Sequence, residues 1–306
     1  MQEPQLNIAA VERELGLSKD VLRVWERRYG FPTPERDAHG ERLYPLAQVE
    51  RLRLIKRLMD QGHRPGRLMT SSFEDLSSLV GARPLLASVP SAKGHEEALD
   101  GLVTLIKQHD VAAYAQALQQ RLARDGLHHF VQNTMAPLSK MIGRAWEDGL
   151  VEVFEEHLFT ELSKRVLRQA IASVAGGQTP RVLLTSLPNE PHSLGLLMVE
   201  GILSLEGAHC IPLGTQMPML SIVEAARAHR ADVVALSFSA AFPARQIPSL
   251  LKQLRDLLPN TVALWAGGSG VSRLGPQAGV QLMVSLAEVQ AAAAEWQSAA
   301  KNRSSA

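Results

Sequence analysis

The chain carries a single cysteine, Cys210, in 306 residues. That excludes an internal disulfide framework and any cysteine-rich metal site built within one chain. No uncharged apolar run approaches the roughly 20 residues a membrane-spanning helix requires, and the first residues lack the apolar core of a secretory signal. The expectation is a cytoplasmic protein in a reducing compartment, with no membrane partner. Net charge is also small, at +1, but it is unevenly spread: residues 1–70 hold 13 basic against 10 acidic side chains, the remainder 19 against 21. A hydrophobic fraction of 45% with 21% charged residues is ordinary for a globular chain, and the length suffices for two or three domains with proper cores.

The modest basic excess lies in a segment with helix-turn-helix signals. Asn7 is placed to cap a short helix ended by Gly16, and Ser18 caps a second helix over Lys19 to Arg28. Val21, Leu22 and Trp25 form the apolar side of that second helix, with Lys19, Arg23, Arg27 and Arg28 on or beside its polar face. The turn-rich stretch from Tyr29 to Tyr44 contains Pro32, Pro34 and Gly40 and predicts a two-stranded wing that brings Arg36, His39 and Arg42 near phosphates. A longer helix over Leu46 to Gln61 follows, and Arg64 starts another. The competing readings are core packing for Trp25 and Tyr44 and a merely solvated face for the arginines.

Residues 76–96 are rich in Ser, Pro, Gly and Ala and read as a linker. From residue 97 to 177 apolar residues recur at helical spacing, from Leu102 through Tyr114, Leu138 and Trp146 to Leu162, with Asp110, Asp125-Gly126 and Asp148-Gly149 as punctuation. That pattern predicts a four-helix bundle. Nine residues separate Trp146 from Glu156-His157 across the last of these turns. This spacing puts an indole at one helix end and a carboxylate-imidazole pair on the next helix, able to face one cavity; the plainer reading is packing for the tryptophan and a surface histidine.

Beyond Gly176-Gly177, apolar runs at 181–187, 208–213, 232–237, 261–266 and 280–284 alternate with amphipathic helical patterns. The expected fold over residues 178–306 is a doubly wound, flavodoxin-like parallel sheet of five strands, making the whole chain α plus α/β. In such a sheet ligands bind at the carboxyl ends of the strands, and an order of 2-1-3-4-5 would open the loops after strands one, three and four on one crevice. The first loop offers Glu190, His192 and Gly195; the third strand ends in Ser237 and Ser239; the fourth ends in Gly267-Gly268. His192 suits metal ligation, because a ligating imidazole donates its other N–H to an acceptor, and Glu190 is placed to be one. Taken alone, a lone loop histidine is more often a solvated surface residue.

Two resemblances follow. The run Arg23-x-Trp25-Glu-Arg-Arg28-Tyr29, with Pro34-x-Arg36 and Gly40-x-Arg42-x-Tyr44, resembles the winged-helix DNA-binding domain of the MerR regulators over about the first 70 residues, and the domain is expected to span 1–75. The run Glu190-x-His192-x-x-Gly195, then Ser237 after forty-one residues, then Gly267-Gly268, is similar to the cobalamin-binding signature of methionine synthase and the base-off mutases. With Trp146 and Glu156-His157 in a preceding bundle, the whole chain resembles the CarH/LitR regulators, cobalamin-dependent photoreceptors that repress transcription. The usual first residue of the signature is Asp, here Glu190, and the usual Leu or Val two residues after the serine is here Ser239.

The resemblance implies adenosylcobalamin as cofactor, with His192 as lower axial ligand of cobalt and the displaced nucleotide tail beside Ser237, Ser239 and the two glycines. It also implies that Trp146, Glu156 and His157 lie on the adenosyl side, with His157 a ligand for the upper position after photolysis. The implied partners are double-stranded operator DNA and further copies of the chain, as a homotetramer assembled in the dark and released by light, with no enzymatic activity. Two alternatives stay open: a cobalamin-dependent methyl-carrier or mutase subunit, and a MerR-type regulator that senses a different ligand such as another tetrapyrrole.

Overall fold

A computed structural model describes residues 5–15, 17–60, 65–79 and 92–304. It divides into two compact units, Met1–Asp100 and Gly101–Ala306. In the first, strand β1 (Gln5–Asn7) leads into α1 (Ile8–Leu15), where Asn7 Oδ1 accepts the Ala10 amide at 2.9 Å as the expected N-cap. Gly16, expected to end this helix, and Arg64, expected to start another, lie outside the described residues. Helix α2 (Lys19–Tyr29) is capped by Ser18, whose Oγ accepts the Val21 amide at 3.3 Å, and it stops at Gly30 in the left-handed region, φ +68°.

Strands β2 (Glu35–Arg36) and β3 (Arg42–Pro45) form the wing. The sequence suggested two strands, but β1 adds a third in the order β1-β3-β2, with Leu6 opposite Tyr44. A polar three-residue segment before a cap has too little periodicity to announce a strand. Helices α3 (Leu46–Asp60), α4 (Pro65–Thr70) and α5 (Phe73–Leu79) close the unit over a core that contains Leu6, Val11, Leu22, Trp25, Tyr44, Leu52 and Leu76. Trp25 and Tyr44 are therefore core residues. The stretch expected as linker holds the end of α5 and the start of α6 (Ala92–Lys107), and residues 80–91 between them lie outside the described residues.

The bundle continues with α7 (Val111–His129), capped by Asp110 through the Ala113 amide at 2.9 Å. Gly126 interrupts α7 with a non-helical backbone, φ +72°, at the expected Asp125-Gly126 punctuation. A π-helical turn over Phe130–Met135 leads into α8 (Ala136–Glu147), and α9 (Val153–Ala172) follows the Asp148-Gly149 turn.

The remaining strands are β4 (Arg181–Thr185), β5 (His209–Gly214), β6 (Val233–Ser237), β7 (Ala263–Gly267) and β8 (Val280–Met283), all parallel in the order β5-β4-β6-β7-β8. The helices between and after them are α10 (Leu194–Leu205), α11 (Met219–Ala228), α12 (Ile247–Leu257) and α13 (Leu286–Ser304). Successive side chains of a strand point to opposite faces. Leu183, Val234, Leu236 and Leu264 accordingly pack with Ile222, Val223, Leu251 and Leu254 of α11 and α12. Val182, Leu184, Val233, Ala235 and Trp265 pack with Leu196 and Leu203 of α10 and Ala292 and Ala293 of α13. Burial on both faces is why these strands read as continuous apolar runs. The chain leaves β4 toward β5 and returns across it to β6, so the switch point lies between β4 and β6, with His192 on the loop after β4 and Ser237 at the end of β6.

Candidate functional site

The two loops at the switch point are tied together by one carboxylate. Glu190 is buried, and its Oε1 accepts from His192 Nδ1 at 2.6 Å and from the His192 amide at 3.2 Å. Its other oxygen, Oε2, accepts the Ser239 amide at 2.6 Å from the loop after β6. Burial alone would raise the Glu190 carboxyl, but the hydrogen bonds from His192 and Ser239 outweigh it and hold the group below its ordinary value. His192 is raised, chiefly by its hydrogen bond to Glu190, against the opposing effect of burial; the charge of Glu156 on the bundle adds to the rise. The imidazole remains half exposed, and Nε2 has no hydrogen-bond partner among the described residues. One ring nitrogen is thus anchored as a donor and the other is free as a ligand.

The loop is held in this shape from below. Ser186 Oγ donates to the Glu190 carbonyl at 2.6 Å and accepts the Gln216 amide at 3.0 Å, which joins the loops after β4 and β5. Thr185 Oγ1 donates to the Gly214 carbonyl at 3.0 Å. Sequence reasoning missed Thr185 and Ser186: two hydroxyls ending an apolar strand look like a strand terminus, and only the fold reveals that both are buried. It also named Ser239 as a departure from the signature, whereas the structure uses its backbone amide, which any residue except proline would provide.

Gly195, the second residue of α10, lies directly against Ser237. A Cβ there would lie 3.1 Å from Ser237 Oγ, so the two expected slot residues do meet. The loops after β6 and β7 are also fastened together, by the Phe238 amide to the Gly267 carbonyl and the Gly270 amide to the Phe238 carbonyl, both at 2.9 Å. Gly268 sits at φ +96°, and a Cβ on it would fall 2.3 Å from the Phe238 carbonyl oxygen.

On the bundle, Trp146 is half exposed near the end of α8. In the first turns of α9, Glu156 accepts from His157 Nδ1 at 2.8 Å and from Thr160 Oγ1 at 2.8 Å, while His157 is mostly exposed. No hydrogen bond among the described residues joins Trp146 or His157 to the His192 loop; the link is the Glu156 charge felt at His192.

In the head, Arg23, Arg27, Arg28, Arg36 and His39 are exposed and Lys19 is partly so. Several are already paired: Lys19 with Glu12 at 3.6 Å, Arg23 with Asp20 at 3.2 Å, and Arg36 Nη1 with the Gly40 carbonyl at 2.8 Å. Arg42 differs from the expected free phosphate contact. It donates to Glu26 at 2.7 Å in a partly buried bridge that fastens the wing to α2 and neutralises the one glutamate on that helix.

Among the described residues no three His, Cys, Asp or Glu side chains gather as an ion-binding cluster. A single anchored imidazole with a free nitrogen is suited instead to a metal that brings its own equatorial ligands, as cobalt in a corrin does. No helix among the described residues is long and apolar enough to cross a membrane. A winged helix-turn-helix head in one chain with a histidine-bearing α/β module defines a ligand-sensing transcription regulator.

Comparison with known proteins agrees. The pattern of the MerR HTH family regulatory proteins matches residues 6–68, and B12 binding domain patterns match residues 96–171 and 180–284. The HTH-type transcriptional repressor CarH of Myxococcus xanthus is 30% identical over 270 residues, covering 87% of this chain and 88% of that one. The repressor CarA of the same organism is 29% identical over 276 residues, covering 87% of each. The monomethylamine corrinoid protein of Methanosarcina barkeri shares the fold at TM-score 0.50 and 18% identity, over 66% of this chain and 99% of that one. The chain belongs to the CarH-type family of MerR-headed, cobalamin-binding transcriptional regulators.

His192 is held through Glu190, so Glu190→Gln is expected to lower the His192 pKa toward its ordinary value and to weaken cobalamin binding by about 10- to 100-fold. The sign follows from the raised His192 and lowered Glu190. Stability from the imidazolium is present below its unfolded pKa and lost as pH rises through the folded one; stability from the carboxylate is lost as pH falls through its depressed value. Histidine NMR titration and equilibrium binding check this, and an unmoved His192 titration would sink the assignment.

Proposed function

We propose that this protein is a light-responsive repressor that binds adenosylcobalamin in the dark and grips operator DNA as a homotetramer. The observation that carries the reading is His192, anchored at Nδ1 by a buried carboxylate and free at Nε2. The two Myxococcus relatives, both HTH-type transcriptional repressors, support repression as the output. The proposed domains are a DNA-binding head over residues 1–75, a linker over 76–96, a bundle over 97–177 and a cofactor domain over 178–306.

His192 would hold the cobalt through Nε2, and Glu190 holds the proton on Nδ1 so that Nε2 presents a lone pair. The hydrogen bonds from His192 and from the Ser239 amide keep that carboxylate ionised. Ser237, Ser239, Gly195, Gly267 and Gly268 form the walls for the nucleotide tail. Trp146, Glu156 and His157 would line the side that holds the adenosyl group, where the half-exposed indole offers an apolar surface, and the exposed His157 imidazole would be a second donor available to the metal. Bound adenosylcobalamin supplies a cobalt–carbon bond that visible light breaks. In the head, Lys19, Arg23, Arg27, Arg28, Arg36 and His39 contact DNA, while Arg42 positions α2 through Glu26. A ligand shifts assembly only through contacts that differ between the two states, and loss of multivalent binding lowers operator affinity more than loss of any one phosphate contact.

The test is to load the purified chain with adenosylcobalamin in darkness and compare absorbance, size-exclusion elution and DNA binding before and after green light. A dark oligomer that dissociates on illumination, with loss of DNA binding, is the expected result. An unchanged spectrum would remove the photoreceptor reading; a changed spectrum with constant elution would remove light-controlled assembly.

A further inference from the structure

Helix α2 buries Leu22 and Trp25 and exposes Asp20, Arg23, Val24, Arg27 and Arg28. Every exposed side chain in that arc is charged except Val24, which is 49% exposed. A β-branched residue is a poorer helix former than the alanine or long polar residues that suit a solvated position, so Val24 serves neither the helix nor the core. Its place along the helix is informative. It stands next to Arg23 and one turn before Arg27 and Arg28, with Asp20, paired to Arg23, one turn before it, so its surroundings on the face left open by the head's own packing are mainly cationic. The arginines suit phosphates and guanine edges, and neither they nor Asp20 offers anything to a methyl group. In the major groove thymine is distinguished by its C5 methyl, which is read by apolar contact.

We infer that Val24 is a specificity-determining residue that reads a thymine methyl in the major groove of the operator. The inference rests on the DNA-binding reading of the head. The ion pairs of the head are arranged consistently with it: Glu26, the α2 carboxylate nearest the wing, is neutralised by Arg42, and Asp20 is paired with Arg23. A backbone-following cationic helix is thereby left with one apolar contact point. Val24 makes a discrimination that charge alone cannot supply, since phosphate contacts position a protein on DNA without reading its sequence.

The experiment uses the full chain, loaded with adenosylcobalamin and kept dark, to enrich binding sites from a randomised duplex pool. Each thymine in one half-site of the enriched duplex is then replaced in turn by uracil, which removes only the C5 methyl. Wild type is expected to lose roughly fourfold in affinity at one such position, the value of one buried methyl group. Val24→Ala is expected to bind the parent duplex as wild type binds that uracil duplex, and to show no penalty for uracil there. Val24→Thr, which keeps one methyl, should retain part of the penalty. The inference is overturned if Val24→Ala keeps the full uracil penalty, if it weakens every sequence equally, or if no thymine shows a penalty with wild type. Failure of wild type to enrich any sequence would overturn the DNA-binding reading itself, and the Val24 assignment with it.

Discussion

Replacing His192 with alanine is expected to reduce cobalamin affinity by about 100-fold, close to 2.7 kcal/mol, and to abolish histidine coordination of the bound cofactor. Loss of an outer partner of a ligating histidine already costs about 10- to 100-fold, so loss of the ligand itself belongs at or beyond the upper end. The geometry adds a second cost. Glu190 is buried, and two of its contacts come from His192; with the imidazole gone, its Oε1 keeps only the His192-position amide at 3.2 Å, while Oε2 keeps the Ser239 amide. A buried carboxylate stripped of a close partner is expensive, so the loop after β4 should loosen as well.

The signature to read is paramagnetic. With cobalt in the divalent state and the protein labelled with nitrogen-15 at histidine, axial coordination by His192 gives a doublet splitting in the electron paramagnetic resonance spectrum. His192→Ala should lose the doublet and His157→Ala should keep it. The reverse pattern would exchange the two assignments.

Much of this site was legible in the sequence because its parts sit at element ends, where local signals are strongest. The runs at 181–187 and 232–237 are apolar enough to mark buried strands. The stretch Pro188-Asn189-Glu190-Pro191 breaks any helix, and Leu194 resumes a helical pattern. Alternation of strands and helices pointed to a parallel sheet with right-handed crossovers, but the strand order that brings Ser237 beside Gly195 entered only as a condition, which the fold meets. The bridges across the loops were not legible. That Glu190 reaches the Ser239 amide, or that Ser186 supports the Glu190 carbonyl, depends on distances between segments some 50 and 4 residues apart, and no periodicity encodes them. The same limit explains Arg42. Its place in a wing motif suggested a phosphate contact, but its partner Glu26 lies 16 residues earlier on α2, and only folding brings the two to 2.7 Å.

The bundle taught a different lesson. The sequence singled out Glu156 for its neighbour His157, but the carboxylate most committed to structure is the preceding Glu155. It is buried, accepts the Glu152 amide at 2.8 Å at the start of α9 and accepts from His109 Nε2 at 3.1 Å. The Glu152 amide is the first cause of its depressed pKa, with burial opposing and His109 helping. Adjacent glutamates on a helix point about 100° apart. Glu155 therefore turns inward to fix the helix start, and Glu156 is left on the side from which its charge reaches His192. The pair Glu156-His157 is thus oriented by a residue that belongs to no binding motif.

The second large effect is expected from Gly268→Ala. Its backbone lies at φ +96°, a region that L side chains rarely adopt, and an added Cβ would fall 2.3 Å from the Phe238 carbonyl oxygen and 3.2 Å from its carbon. The obstacle is backbone that cannot step aside as a flexible side chain would, because the Phe238 amide and carbonyl are hydrogen bonded to Gly267 and Gly270. Strain and overpacking together are expected to cost about 3 kcal/mol, lowering the melting temperature of the unit by roughly 6–12 °C for a domain of this size. The displacement would pass to Ser239, next in the chain to Phe238, whose amide holds Glu190, and so cobalamin affinity should fall even where the protein stays folded. Gly275→Ala is the control: a Cβ there meets nothing within 4 Å, so both melting temperature and affinity should stay near wild type. Thermal unfolding and equilibrium binding on the same preparations separate the two effects. A Gly268→Ala protein that melts and binds like Gly275→Ala would show that the loops after β6 and β7 can part without disturbing His192.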